Sequence, residues 1–370
     1  MLKTAVDFKG SDSDRIQAAV DCASSNDGKV VVPAKPDGSC WLIDRAILLP
    51  SHTTLVLQNC HIKLSDRCRD NFIRSANCGF GITANVPSEE IHIIGEGNVI
   101  LEGADRPRST GDGGKQCSTH TKELNWTRSF GTDEGVEGES QKGDWRNIGI
   151  LFANVTGFSI SGITMKNYHC WGISLEKCVN GKVADIDFIA KQDQLIDGAL
   201  QTCLNRDGLD LRSGCHDIDI SNIKGDTGDD IVALTSIVSR DREGGQLCTT
   251  EVSANRLEAA DGIRNVTIRN VSGTTRCAMI RLLCSENAPV QDVTIQGVYD
   301  ISQDSARTSV ILRIGETDTR YCVQGTISNI TVSDVVSNAN KCILMLHSLK
   351  NAHFSNIVNK NPETDTFFVN

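Results

Sequence analysis

Two acidic phrases lie 22 residues apart, counted from Asp207 to Asp229. The first reads Asn205-Arg206-Asp207-Gly208-Leu209-Asp210-Leu211 and the second Gly228-Asp229-Asp230-Ile231-Val232-Ala233-Leu234. Each runs from carboxylates straight into alternating apolar residues, the pattern of a half-buried strand. If those strands stack, Asp207 meets Asp229 and Asp230. Like charges held that close resist full ionisation, so at least one carboxyl should keep its proton to a raised pKa. A protonated acid beside an ionised carboxylate is the equipment for splitting a glycosidic bond. Asp-Gly and Gly-Asp-Asp also make plain turns, and a carboxylate cluster can also hold calcium.

Something must bring the two phrases together, and the rest of the chain supplies it. A polar turn followed by apolar-polar-apolar residues, a small polar pair and another apolar residue recurs at 158–163, 183–186, 218–223, 266–271, 293–298 and 330–335. The tightest spacings between anchors, Ile163 to Ile186 and Val271 to Val298, are 23 and 27 residues. Period-2 strands repeating at that interval predict an all-β fold, a single-stranded right-handed parallel β-helix. One coil cannot bury its inner face alone, so coils stack and share a core. A β-sandwich also has many short strands, but not one phrase at near-constant spacing.

An open solenoid end exposes strand edges and needs a cap. Residues 13–23 have helical spacing at Ile16, Ala19, Val20 and Ala23, with Ser13 as the expected N-cap. Val30 to Val32 and Thr54 to Leu57 read as early strands. The whole chain, 1–370, is expected to form one elongated domain, with 1–66 as cap and first coils. The polar stretch 104–144 reads as a long loop over a cleft or at an end. Insertions at 191–202 and 236–261 border the acidic phrases, where long loops tend to carry function.

Counting back from the anchor of the next strand places Trp171, Asp207 and Arg281 in one column within a residue or two, and Asp230 joins it. Coils about 4.8 Å apart would then converge three carboxylates and an arginine, which favours a site over turns alone. His169 falls one coil before Asp207. Trp171 is either core or a platform for a sugar face. His216 sits in a turn on another face and receives no role.

Composition narrows the partners. A net charge of −10 argues against nucleic acid and mildly against a long polyanion. Aromatics make up 5% of the chain, and Gly, Val, Ile, Asn and Thr suit short strands joined by polar turns. The 15 cysteines show no CxxC pair and no zinc spacing. They read as reduced, buried thiols in place of a disulfide framework. No apolar leader and no bilayer-length stretch is present in the sequence. A soluble protein is expected, cytoplasmic or secreted with its signal trimmed, with no membrane partner. Five Asn-X-Ser/Thr sequons, at Asn125, Asn154, Asn265, Asn270 and Asn329, mostly belong to strand text and read as coincidental.

At the acidic phrases the chain resembles glycoside hydrolase family 28, the polygalacturonases, which are right-handed β-helices. The family's Asn-Thr-Asp is similar to Asn205-Arg206-Asp207, and its Asp-Asp to Asp229-Asp230. Asn167-Tyr168-His169-Cys170-Trp171 is similar to its Ser-Pro-x-Trp strand. The resemblance implies Asp229 as general acid, with Asp207 and Asp230 holding and deprotonating the attacking water. It implies inversion at the anomeric carbon, a carbohydrate substrate and neither metal nor cofactor. Asn205, Arg206, Asp210, His169, Trp171 and Arg281 are then the expected substrate contacts. Two departures stand out. The Gly-His-Gly expected about 20 residues past the aspartate pair is replaced by Gly244-Gly245-Gln246 and lacks histidine. The family's Arg-Ile-Lys becomes Arg281-Leu282-Leu283, and loss of the lysine that meets a uronate carboxylate points to a neutral sugar or a different linkage. The leading expectation is an inverting glycosidase on a pectin-related or other plant or microbial glycan. A lyase or epimerase on the same fold, and a non-catalytic glycan-binding solenoid, are the alternatives.

Overall fold

The computed structural model describes residues 4–25, 27–68, 70–78, 85–106, 147–203, 205–236, 262–284, 288–316, 326–347 and 349–369. The expected loop at 104–144 and the insertion at 236–261 fall almost wholly outside the described residues.

The chain winds as a right-handed parallel β-helix, alternating between two parallel sheets. Long strands form the first sheet, among them Val155–Lys166, Val179–Ala190, His216–Thr227, Ile263–Thr275, Val290–Asp300, Ile327–Ser337 and Leu349–Asn359. Short strands form the second, including Ile150–Ala153, Ile173–Glu176, Leu209–Arg212, Val232–Ser236, Ala278–Cys284, Val310–Ile314 and Lys341–Met345. Neighbours in each sheet are successive coils. The repeated phrase keeps the register read from sequence: Ile163, Ile186, Ile223, Val271, Val298 and Val335 pair in one row.

Ile160, Val183, Ile220, Ile268, Ile295 and Val332 form a second row of inward residues, each at most 1% exposed. Full burial of an aliphatic side chain is worth roughly 1.5–3 kcal/mol, so these rows hold the coils together. The core they build runs from Ala5 to Ile343. At the N-terminal end the helix Asp12–Ser24 covers it with Ile16, Ala19, Val20 and Ala23. Its N-cap is Ser11, in a capping box with Asp14, and not Ser13. Ser13 is buried in the first turn, where its hydroxyl accepts from the Asp44 backbone N–H at 2.9 Å. No helix among the described residues is long and apolar enough to cross a membrane. The twelve cysteines among the described residues are free thiols, nine of them buried.

Part-way along each long strand one residue takes a left-handed conformation. Asp185, Asn222, Asn270, Gly297, Asp334 and Asn356 stack there with φ between 50° and 76°. Asn, Asp and Gly tolerate this region best. Their side chains also bond along the stack: Asn222 Nδ2 donates to Asp185 Oδ1 at 2.8 Å, and Asn270 Nδ2 donates to Asn222 Oδ1 at 3.1 Å. A parallel stack near the strand starts contains Asn180, Asp217, Asn265, Asp292, Asn329 and Asn351. The sequons at Asn265, Asn270 and Asn329 are therefore ladder positions followed by strand residues. Asn222→Val should lose about 2–4 kcal/mol, since it forfeits two hydrogen bonds and puts a β-branched residue at positive φ. Asn222→Gly, which forfeits the same two bonds but accepts the backbone, should lose about 1–2 kcal/mol. Equal losses in urea unfolding of the two variants would contradict this account of the left-handed position.

Candidate active site

The turn from a long strand into the next short strand is where the carboxylates sit. Gly172 and Gly208 stack at this turn against the Phe188 ring. A Cβ on Gly208 would lie 2.5 Å from the Ile231 carbonyl oxygen and 2.7 Å from Phe188. The glycine thus lets the coils close up immediately behind Asp207. Ladder bonds then fix the register. Gly172 N donates to Asp207 O at 2.9 Å, and Gly208 N donates to Asp230 O at 2.8 Å. Trp171, Asp207 and Asp230 consequently form one column, with Ala278 next. Cys170, Arg206, Asp229 and Cys277 form the adjacent one.

Asp207 and Asp230 are both buried, at 6% and 3% exposure. The Asp230 backbone N–H lies between two carboxylates, 3.2 Å from Asp207 Oδ1 and 3.0 Å from Asp229 Oδ1. Asp230 Oδ1 accepts from Ala278 N at 2.8 Å, and its Oδ2 lies 3.7 Å from Arg281 Nη1. The Asp229 carbonyl accepts from the hydroxyls of Thr227, at 2.6 Å, and Thr275. Burial, and then the charge of Asp230, push the Asp229 carboxyl up to about 6. A thiol–carboxyl hydrogen bond from Cys277 and the guanidinium of Arg281 pull the other way. Burial raises the Cys277 thiol strongly, with Asp230 and Asp229 adding to it, so it stays protonated.

The other expected contacts divide. Arg281 does not share the column of Trp171 and Asp207. It pairs in register with Ala233, and through it with Asp210 and Ser174. The count back from the next strand crossed a connection of variable length. Its side chain reaches back to Asp230 nonetheless. Asp210 is buried in that second column. Arg206 is fully buried, and its guanidinium donates to Lys191 O at 3.0 Å and to Gln194 Oε1. It anchors the hairpin of strands Asp193–Ile196 and Ala199–Thr202, which is the insertion expected at 191–202. Asn205 is half-buried with φ 53°. His169 is buried one coil earlier. Trp171 is only 6% exposed, and the Arg212 guanidinium covers its ring 4.8 Å from the centroid.

Cys277, Arg212 and Glu316 were not singled out from sequence. Cys277 follows Asp229 by 48 residues yet stacks directly on it, because residues 237–261 lengthen that coil. Residues 244–250, where the resemblance expects a histidine motif, lie outside the described residues. Asp229, Asp230 and Cys277 place one potential ligand atom each within 4.8 Å of one another. The Arg281 guanidinium, 3.7 Å from Asp230 and 3.9 Å from the Cys277 sulfur, competes with any cation for that spot. A groove of about 490 Å³ flanks the turn, lined by Lys191, Thr227, Thr275, Arg276, Ile301 and Arg307 among others.

The three aspartates fall inside one family match. Glycosyl hydrolases family 28 matches this chain over residues 110–249. That match spans 140 of the 370 residues. No curated protein matches it significantly. Among solved structures it is similar to a hyperthermoactive exopolygalacturonase from Thermotoga maritima. That likeness has 14% identity over 94% of this chain and 75% of the other, with TM-score 0.56. It is similar also to a polygalacturonase from Erwinia carotovora ssp. carotovora, at 14% identity over 98% and 94%, with TM-score 0.54. A tailspike protein of E. coli bacteriophage HK620, in complex with a pentasaccharide, aligns at 16% identity over 94% and 57%, with TM-score 0.56. At such identities the structural likeness establishes the β-helix and no more.

Proposed function

We propose that the protein is an inverting glycoside hydrolase acting on a pectin-related or other plant or microbial glycan. The observation that carries this reading is Asp229, a carboxyl pushed up to about 6 and set one residue from Asp230 and one coil from Asp207. The Asp229 carboxyl donates its proton to the glycosidic oxygen as the bond to the anomeric carbon breaks. A water attacks that carbon from the opposite face and passes its proton to the Asp207–Asp230 pair. Inverting pairs usually stand roughly 6.5–9.5 Å apart. Here an oxygen of Asp229 lies within 4.8 Å of one of Asp230, and both Asp229 and Asp207 face the same Asp230 N–H. Inversion therefore rests on the family resemblance, and the configuration of the first-formed product decides it. Arg281 positions Asp230 and supplies its counter-charge. Arg206 supports the turn from behind.

The test is a reducing-end assay across pectic and neutral glycans, with the first-formed anomer followed by NMR. New reducing ends of inverted configuration are expected, with activity falling as pH rises through about 6 while Asp229 loses its proton. Retained configuration would overturn the mechanism. An unsaturated, ultraviolet-absorbing product would replace hydrolysis with elimination. Glycan binding without any product would leave a binding solenoid.

A further inference from the structure

One coil beyond Asp230, the outer face of the short-strand sheet carries two cations in a row. Arg281 and Arg313 pair in register on strands Ala278–Cys284 and Val310–Ile314, so their side chains rise from one column about 4.8 Å apart. Two guanidiniums at that spacing form a receptor for a planar carboxylate. The protein fills this receptor itself. Glu316 Oε2 accepts from Arg281 Nη2, and both Glu316 oxygens accept from Arg313 Nη2 at 2.6 Å.

The filling is built into the backbone. Gly315, at φ 79°, turns the chain directly after Ile314, and its N–H donates to Leu282 O at 2.8 Å. A Cβ at Gly315 would lie 2.7 Å from the His347 ring. That same ring meets the Glu316 carbonyl oxygen through Nε2 at 3.0 Å. The side chains of Arg281, Glu316 and Arg313 are 12%, 19% and 23% exposed, so this is a half-desolvated cluster at the surface. Asp230 and Glu316 together balance Arg281 and Arg313.

We propose that Glu316 is a specificity-determining residue: by occupying the arginine pair beside Asp230, it makes that part of the face neutral and selects an uncharged sugar ring there over a uronate. This rests on the glycosidase reading only for the identity of the ligand as a sugar. A free uronate carboxylate would have to compete with Glu316 for the same guanidinium hydrogens and would meet its negative charge at close range. A neutral ring escapes the charge repulsion and need not displace Glu316 from the arginines, because its hydroxyls can donate to the remaining lone pairs of the Glu316 carboxylate.

The experiment is calorimetric titration of trigalacturonate and its fully methyl-esterified form into the full-length protein. The two probes differ in charge and not in ring. The inactive Asp229→Asn background prevents turnover. The ester should bind at least about tenfold more tightly than the free acid. Glu316→Gln should erase or reverse that ratio, and the gain for the free acid should fade with added salt. Arg313→Gln leaves Glu316 less neutralised and should widen the ratio in favour of the ester. A ratio unmoved by either variant, or free acid already preferred by the parent, overturns the proposal. So does binding of neither probe to any of the proteins. Because nothing is turned over in these titrations, failure of hydrolysis in the native enzyme counts against the glycosidase reading alone.

Discussion

Asp229→Asn is expected to cut turnover by about 10²–10⁴-fold, the usual worth of a general acid, and at the same time to make the protein more stable at neutral pH. The sign of the second effect follows from the shift. The Asp229 carboxyl titrates near 3.8 when unfolded and at about 6 in the fold, chiefly because burial disfavours its charge. Below about pH 4 it is protonated in both states, and the native state carries no penalty. From about pH 4 the unfolded carboxyl ionises while the native one keeps its proton, so stability falls with rising pH until the native carboxyl ionises too, at about 6. The full difference is about 3 kcal/mol, an upper figure because neighbouring charges relax. Asparagine never ionises and keeps an oxygen to accept from the Asp230 N–H. The variant should therefore match the parent in urea at pH 4 and exceed it at pH 8. An inactive variant that is no more stable at pH 8 would show that Asp229 is not held as described. An active one would remove it from the acid's role.

Arg281→Met should be the most destabilising of the site substitutions. Methionine keeps length and packing but leaves Asp230, at 3% exposure, without its nearest cation. It also leaves Glu316 with Arg313 alone. Removing one partner of a buried ion pair costs about 3–5 kcal/mol, and the low end applies because Arg281 keeps some solvent contact. Activity should fall with it, since Asp230 loses the group that orients it. The control is the double variant Arg281→Met/Asp230→Asn. If an uncompensated carboxylate is the cause, the double variant recovers most of the stability lost by the single one. A double-mutant cycle by urea unfolding decides this, and additive losses would refute the pairing.

The coils were legible because their signal is redundant. Six anchors from Ile163 to Val335 repeat one phrase, and an error of one residue at any of them would put its apolar side chains outside. The same redundancy put Asp207 and Asp230 in one column. Where a single residue had to be placed by counting across an irregular connection, the count slipped. Arg281 stands three positions further along than Asp207, in the column of Asp210. Ser11 is followed three residues later by Asp14, which completes a capping box, whereas Ser13 is followed there by Ile16 and its hydroxyl accepts from Asp44 N. Arg206 lies next to a carboxylate in sequence, yet its side chain runs to the back of the turn because the hairpin carbonyl of Lys191 lies there. Cys277 could not be associated with Asp229 from sequence at all. Strand pairing ignores the length of what is looped out, so a neighbour in space can be 48 residues away in the chain.

The amide ladders also bear on how the protein can be produced. Asn265, Asn270 and Asn329 each present Nδ2 to an oxygen of the coil before, on Asp217, Asn222 and Asp292 respectively. That nitrogen is the atom to which a eukaryotic secretory host attaches an oligosaccharide, and attachment precedes folding. A branched sugar there would stand where the neighbouring coil has to dock, so yeast or insect secretion should give poor yields that a bacterial cytoplasm does not. Replacing the hydroxyl residues two places on, Thr267, Ser272 and Thr331, with valine or alanine would abolish attachment while sparing every ladder amide.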